Sequence, residues 1–476
     1  MITLLRPRPH VFRHVRSSLL ATHVRHNSTR EVCNGELIYE ERGGARIFTL
    51  NRPKQLNAIS GEMFHSLIDT IGDPSVKVVL GQGVGRAFAS GGDIKSVVHY
   101  ISSTKDSERK IGESFLCASL TANWEAAHLE VPYVSFMDGI TMGGGAGLSL
   151  PANIRIATPR TQFAMPECKI GYCPDVASSY WLMQLDGYIG AWMAVTSADI
   201  FGRMAYELGI CTHYVSEESV PEIEDRIASL SSPTPAEISA LVSEYHLEGN
   251  GEPSSKANRG GRSTLTPAIR RYLDNVFSLP SIAQIYDTLG LTSGLEPEVA
   301  EWALQQRAAM SERGPTGMAV ALANYQDALK AKSLYESVHR DTLLAASFAG
   351  PHRRTNDLVI GCNHSLIEKK PPPIPFDPSI DRIRELDPDI VREKFCSHNP
   401  DAIQLPLVPK PEGANTTWGE FRRWGVPSEE AVRAAMHHGL KGEDLDNELV
   451  KEDSKRTPEL KQAVRDIEQY VDGTNQ

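Results

Sequence analysis

Two glycine clusters, each set between an apolar run and a stretch that can form a helix, restrict the fold of this chain more than any other feature. They read Arg86-Ala87-Phe88-Ala89-Ser90-Gly91-Gly92-Asp93-Ile94-Lys95 and Asp138-Gly139-Ile140-Thr141-Met142-Gly143-Gly144-Gly145-Ala146-Gly147. Strand, glycine turn and helix in succession point to an α/β architecture. A turn without Cβ atoms lets backbone approach a ligand, and free N–H groups at a helix start stabilise negative charge. Two such turns can supply two N–H donors to one developing oxyanion, an effect worth roughly 3–4 kcal/mol per donor. A phosphate-binding loop is excluded, because no Lys follows the glycines of the second cluster and neither cluster gives a convincing G-x-G-x-x-G.

A third segment supplies carboxylates. Phe163-Ala164-Met165-Pro166-Glu167 is followed by Gly171-Tyr172-Cys173-Pro174-Asp175, which places Pro-Glu and Pro-Asp eight residues apart. Set between an apolar run and Ile170-Gly171, Glu167 is expected in a low-dielectric wall that raises its pKa.

Around these motifs, two strand-like runs between Leu37 and Leu50 flank Arg42-Gly43-Gly44 and predict a hairpin. Ser60 is expected to cap a helix that ends at Gly72. Val76–Leu80, Tyr133–Met137 and Ile154–Ala157 read as strands. The polar stretch Glu248–Arg262 reads as a flexible surface insertion, and residues 296–349 as long helices. Pro371-Pro372-Pro373 and Pro375 open a stiff linker, followed by two capped helices beginning at Ser428 and Thr457. No internal repeat of fixed period is evident.

The first 30 residues hold six Arg, interleaved hydroxyl residues, and neither Lys nor acid. That is the pattern of a mitochondrial transit peptide, with a plain basic tail as the other reading. Removing those six Arg leaves 43 basic against 60 acidic residues, so the net charge moves from −11 to −17. Such an acidic body opposes extensive direct contact with nucleic acid, and no apolar run is long enough to span a membrane. His437-His438 and Arg422-Arg423 read as solvated helix and linker. Seven Cys without a C-x-x-C pair fit a reducing compartment and no zinc site, and Cys168 and Cys173 read as packing residues.

At these motifs the chain resembles the crotonase (enoyl-CoA hydratase/isomerase) superfamily and, within it, the 3-hydroxyisobutyryl-CoA hydrolases. The resemblance rests on Leu-Asn-Arg-Pro at 50–53, Leu-Asn-Ala at 56–58, Gly-Ile-Thr-Met-Gly-Gly-Gly at 139–145 and Phe-Ala-Met-Pro-Glu at 163–167. Ala205–Val215, with Gly209 and Thr212-His213, adds to it. It implies a superhelix of ββα turns with a helical C-terminal region over residues 36–370, after a leader at 1–30 and before an extension at 371–476. It further implies that the amides of Gly92 and Gly144 bind a thioester oxygen, with Gly91, Asp93, Gly143 and Ser119 lining the substrate and Lys95 near its CoA moiety. Glu167 would activate water or attack the thioester directly, and Asp175 would orient the substrate hydroxyl and assist proton transfer. This chemistry needs no metal and no cofactor beyond the CoA of the substrate. The implied activity is hydrolysis of 3-hydroxyisobutyryl-CoA in valine breakdown, in the mitochondrial matrix.

A hydratase fits less well, because the second Glu of that site falls at Gly147, and Asp175 stands where hydratases usually carry Gly. The match also departs from the hydrolases at three places. Ala177-Ser178-Ser179 replaces a glycine-rich stretch, Ser119 replaces an acid, and Ile360 replaces a Glu, changes expected to narrow the acyl pocket and alter proton handling. Two other readings stay open. One is a hydrolase-like component of the mitochondrial small ribosomal subunit, which the C-terminal extension suits. The other is a crotonase acting on a different CoA ester.

Overall fold

Alternating apolar residues set the first sheet. In this computed structural model, which describes residues 28–474 except 74, 250–254, 401, 406, 408–415 and 451–455, strand β1 is Ser28–Val32. The expected leader therefore lies outside the described residues except for Ser28, Thr29 and Arg30. Strand β1 pairs antiparallel with β2 (Leu37–Arg42), which pairs antiparallel with β3 (Ala45–Leu50) across the hairpin at Gly43-Gly44. Parallel neighbours follow in the order β4 (Val78–Gly83), β6 (Tyr133–Phe136), β8 (Ile154–Ala157) and β11 (His213–Tyr214).

The strand after each of β4, β6 and β8 enters a second, smaller sheet. β5 (Ala87–Ala89), β7 (Ile140–Met142) and β9 (Gln162–Ala164) run parallel in the order β9-β7-β5, and β10 (Ile200–Phe201) closes the far edge antiparallel. Each turn of the chain thus lays one strand in each sheet before a helical segment, which is the ββα superhelix of a crotonase fold. The parallel strands start unevenly, at Val78, Tyr133 and Ile154, so the structural repeat leaves no fixed period in the sequence. The glycine turn after Tyr133–Phe136 does not lead straight into a helix, because β7 intervenes and carries the cluster into the second sheet.

Period-two alternation gives the large sheet two buried faces. Phe48, Val79 and Tyr133 pack with Met63, Phe64 and Leu67 of α1 (Gly61–Thr70), whose first turn is capped by Ser60 accepting from the Met63 amide at 3.3 Å. Ile47, Leu80, Val134 and Ile156 pack on the other side with Ile223, Ile227 and Ile238. Beyond β5 come α2 (Ile94–Ile101) and α3 (Asp106–Ala127), and beyond β7 comes α4 (Gly144–Ser149). The expected helices within 296–349 are Pro297–Ser311, Pro315–Ala331 and Leu334–Ala349. Among the described residues no helix is long and apolar enough to cross a membrane.

Three readings of the C-terminal half need correction. The stretch 248–262 is fastened where it is described, since the Arg203 amide donates to Arg259 O at 2.9 Å and the Arg259 guanidinium lies 5.1 Å from the Phe201 ring centroid. A third helix, Gly442–Leu449, stands between the two expected ones. Arg422 is buried rather than solvated: it pairs with Asp186 at 2.5 Å and donates to Val426 O, while Arg423, His437 and His438 are exposed.

The C-terminal residues join the largest apolar cluster through Phe421, Val432, Leu445, Leu460 and Val464, which pack with Trp181 and Trp192. Arg155, itself buried, donates to Ile210 O, Ala152 O and Phe421 O at 2.6–2.8 Å, and its guanidinium lies 3.9 Å from the Phe421 ring centroid. The same ring also meets Trp181, with centroids 5.6 Å apart. Phe421→Ala should therefore cost about 3 kcal/mol, the usual range for a buried aromatic, read as a loss of unfolding free energy in urea.

Candidate active site

The three chemistry-bearing motifs meet because β5, β7 and β9 are adjacent and parallel, so their C-terminal ends emerge side by side. Ser90-Gly91-Gly92 follows β5, Gly143-Gly144 follows β7, and Met165-Pro166-Glu167 follows β9. Ligand sites at the carboxyl ends of parallel strands are a general consequence of this geometry.

The Gly92 turn is held from behind. The Ile59 amide donates to Gly91 O and the Asp93 amide to Ile59 O, both at 2.9 Å, which leaves the Gly92 N–H between them unused. Buried Asn57 donates to Ala87 O at 2.7 Å and Val84 O at 3.0 Å, and Arg52 donates to Ala58 O and the Asp93 carboxylate. The Leu50–Ala58 segment is thus the scaffold of this turn. On the other side Gly143 has φ +50° and ψ −121°, a conformation that glycine alone adopts readily, and the first α4 hydrogen bond runs from Gly147 N to Gly143 O. The Gly144 N–H therefore has no acceptor within its helix. A Cβ on Gly144 would lie 3.1 Å from the Gly92 nitrogen, so the two turns touch. Among the described residues neither amide donates a hydrogen bond.

Glu167 opens a short 3₁₀ turn, Glu167–Ile170, and is 7% exposed. Its Oε1 would lie 3.0 Å from a Cβ on Gly143, and its Oε2 has no partner. Burial first, and the Asp175 charge second, push its pKa up to about 8. Asp175 is also buried, accepts from Tyr172 OH at 3.2 Å, and is raised by burial to about 7. A third acid, Asp341 on Leu334–Ala349, accepts from the Ala177 amide at 2.7 Å and Asn324 at 3.2 Å. Burial and then Asp175 raise Asp341 to about 8. Among the described residues no three His, Cys, Asp or Glu side chains are grouped to hold a metal ion.

The enoyl-CoA hydratase/isomerase family matches residues 45–395 of this sequence. The chain belongs to that family. It is 30% identical over 363 residues to the mitochondrial 3-hydroxyisobutyryl-CoA hydrolase of Rattus norvegicus, a match covering 75% of this chain and 88% of the rat protein. It is 32% identical over 342 residues to small ribosomal subunit protein mS47 of Schizosaccharomyces pombe, covering 71% of this chain and 75% of that protein. A carnitinyl-CoA dehydratase from Mycobacterium thermoresistibile superposes with a TM-score of 0.64 at 26% identity, covering 77% of this chain and 98% of the dehydratase.

Within this family member the sequence-predicted residues divide into two groups. Gly91, Gly92, Gly143, Gly144, Glu167 and Asp175 converge as described. Lys95 is exposed on α2. The Asp93 carboxylate is engaged by Arg52 and by the α2 N-terminus, where it accepts from Ser96 N. Ser119 is buried on α3, with its hydroxyl donating to Leu116 O of its own helix at 2.6 Å. Cys168 and Cys173 are buried free thiols. Ile360 lines a cleft of about 450 Å³ with Thr316, Asp357 and Phe395. Sequence reasoning did not single out three residues that lie beside these motifs. These are Asp341, Asn123, and Phe115, whose ring would lie 2.9 Å from a Cβ on Gly92 and meets Phe64 edge-on at 5.8 Å.

The departure at 176–179 acts through the backbone. Val176 and Ala177 have φ of +54° and +55°, the left-handed region that β-branched residues avoid. The bond from Ala177 N to Asp341 holds this turn beside Asp175. The left-handed conformation costs Ala about 1–2 kcal/mol, whereas added unfolded-state freedom costs glycine about 0.5–1 kcal/mol. Ala177→Gly should therefore stabilise the protein by about 0.5–1 kcal/mol in chemical denaturation.

The raised carboxyls of Glu167 and Asp175 hold their protons more tightly folded than unfolded. Their contribution to stability is complete below about pH 4 and is lost as pH rises through about 7 to 8. Glu167→Gln removes that loss at one site. Its gain in stability over the parent should be small at pH 5 and on the order of 1–3 kcal/mol at pH 9, measured as paired unfolding curves.

Proposed function

We propose that this protein hydrolyses a short 3-hydroxyacyl-CoA thioester, 3-hydroxyisobutyryl-CoA, with no cofactor beyond the CoA of its substrate. The observation that carries this reading is the pair of unused amides, Gly92 and Gly144, beside the buried carboxylate of Glu167, whose Oε2 has no partner. The thioester oxygen accepts from both amides, which stabilise the charge that develops as its carbon becomes tetrahedral. Glu167 either takes a proton from the attacking water or attacks the carbonyl carbon itself, giving an anhydride that water then opens. In both routes the C–S bond breaks, the sulfur leaves with a proton, and a carboxylic acid remains. Asp175, next in the cluster, orients the acyl hydroxyl and passes the proton. Lys95, exposed on the helix after the first glycine turn, faces the phosphates of CoA.

Gly147 supports hydrolysis over hydration, since the second acid of a hydratase is missing there. The Arg-rich leader and the mitochondrial relative support action in the mitochondrial matrix, and that relative's activity supports a place in valine breakdown. A second reading has its own support: the yeast relative named as a small ribosomal subunit protein shares most of this chain. Under it the protein is a hydrolase-like subunit held by protein neighbours.

Purified protein should release free thiol from (S)-3-hydroxyisobutyryl-CoA, and Glu167→Gln should lower the rate at least a thousandfold. kcat/KM should rise with pH through an apparent value between about 7 and about 8, a property of the Glu167–Asp175 pair. Absence of turnover with any short acyl-CoA, together with co-sedimentation with the mitochondrial small ribosomal subunit, would favour the second reading.

A further inference from the structure

Asn123 stands out among the buried polar groups that the proposed mechanism does not use. It is 2% exposed on α3, and neither its Oδ1 nor its Nδ2 has a hydrogen-bond partner. Leaving a buried amide unpaired is costly, and native structures retain few such groups without a reason. Its neighbours show where it points. A Cβ on Gly147 would lie 2.6 Å from Asn123 Nδ2, 2.9 Å from its Oδ1 and 2.6 Å from Val176 Cβ. The amide therefore fills the space above Gly147, one turn of α4 below the Gly143-Gly144 amides and beside the residue that follows Asp175. Ser119, one turn earlier on α3, cannot take this part, because its hydroxyl is bonded to Leu116 O.

The position matters because Gly147 stands where a hydratase-like site carries its second acid. Here a neutral amide from another helix occupies that space, and only glycine at 147 leaves it room. We infer that Asn123 is a specificity-determining residue that binds the 3-hydroxyl of the acyl group, an assignment that rests on the thioesterase reading. The chemistry matches: a hydroxyl offers one donor and two lone pairs, and an amide offers both kinds of partner, whereas ionised Asp175 only accepts. A site built to bond a hydroxyl rejects the analogue lacking it, because its own buried polar groups are then left unpaired.

The test compares 3-hydroxyisobutyryl-CoA with isobutyryl-CoA, in the full chain and in Asn123→Leu, which keeps the shape of the amide without its polar atoms. The parent should prefer the hydroxylated ester at least thirtyfold in kcat/KM. Asn123→Leu should lose at least tenfold on that ester and less than threefold on isobutyryl-CoA, while its thermal midpoint stays level or rises. Asn123→Ala should show the same split if leucine proves too large. Equal losses on both esters, or an unchanged preference, would overturn the assignment while thiol release by the parent keeps the thioesterase reading intact. If the parent turns over neither ester, calorimetric binding of the two decides. A hydroxyl preference erased by Asn123→Leu supports the assignment without the activity, and no binding of either ester overturns both.

Discussion

Everything in the proposed site depends on one constraint, the parallel pairing of β5, β7 and β9 in the small sheet. Each of these strands is only three residues long, too short to persist alone, and each is fed by a longer strand of the large sheet. Parallel register makes three turns that are distant in sequence leave from the same edge. The backbone amides of two turns and the carboxylate of the third then face a common space without any long side chain having to reach. Asn57 and Arg52 secure the outermost strand, β5, through its carbonyl and the following turn. The most local-looking motif of the sequence, Leu50–Ala58, is thus a support for chemistry carried by residues some 35 positions further on.

The site is also where the fold carries its strain. Three acids, Glu167, Asp175 and Asp341, are buried close enough that Asp175 raises the other two, and two adjacent non-glycine residues take left-handed backbone next to them. Neither feature stabilises a folded chain; both survive because surrounding packing over-determines them. Asp341 links the two features, since one carboxylate oxygen fixes the Ala177 amide while the Asp175 charge raises its pKa. A turn that glycine would make without strain is instead fixed by a hydrogen bond from a helix 164 residues away.

The distinction between near and far explains what the sequence could reveal. The hairpin at Gly43-Gly44, the Ser60 cap and the helices opening at Ser428 and Thr457 rest on contacts within a few residues, and their chemistry is written locally. Gly92, Gly144, Glu167 and Asp175 lie inside continuous motifs, so they could be singled out, and their convergence was expected through the family resemblance rather than from local pattern. Asn123 and Asp341 are single polar residues on otherwise ordinary helices. Nothing beside them in the chain distinguishes a buried, inward-facing amide or acid from a solvated one. Strands β5, β7 and β9 were hidden for another reason: three residues give no periodicity, and their pairing is decided entirely by the ladder they join. Arg422 misled because a charged pair normally means solvent, and only the tertiary structure supplies the Asp186 that makes burial tolerable.

The C-terminal residues bear on how the two functional readings relate. Arg155 on β8 donates to Phe421 O, Arg456 donates to Thr212 O and Trp424 O, and Glu459 pairs with Arg203 and His246. These contacts tie the last hundred residues to β8, to the segment before β11 and to the helix after β10. Arg155 and Arg203 are buried, so detaching the tail would take the Phe421 carbonyl from one and the Glu459 carboxylate from the other, a larger loss than that of a surface ion pair. Among the described residues, these contacts hold the tail against the body of the fold. Docking onto the outer surface of the tail, where His437, His438 and Arg423 are exposed, needs no such detachment. Docking of that kind leaves β5, β7 and β9 undisturbed, so incorporation into a larger particle and an intact site for acyl-CoA chemistry are structurally compatible in one chain.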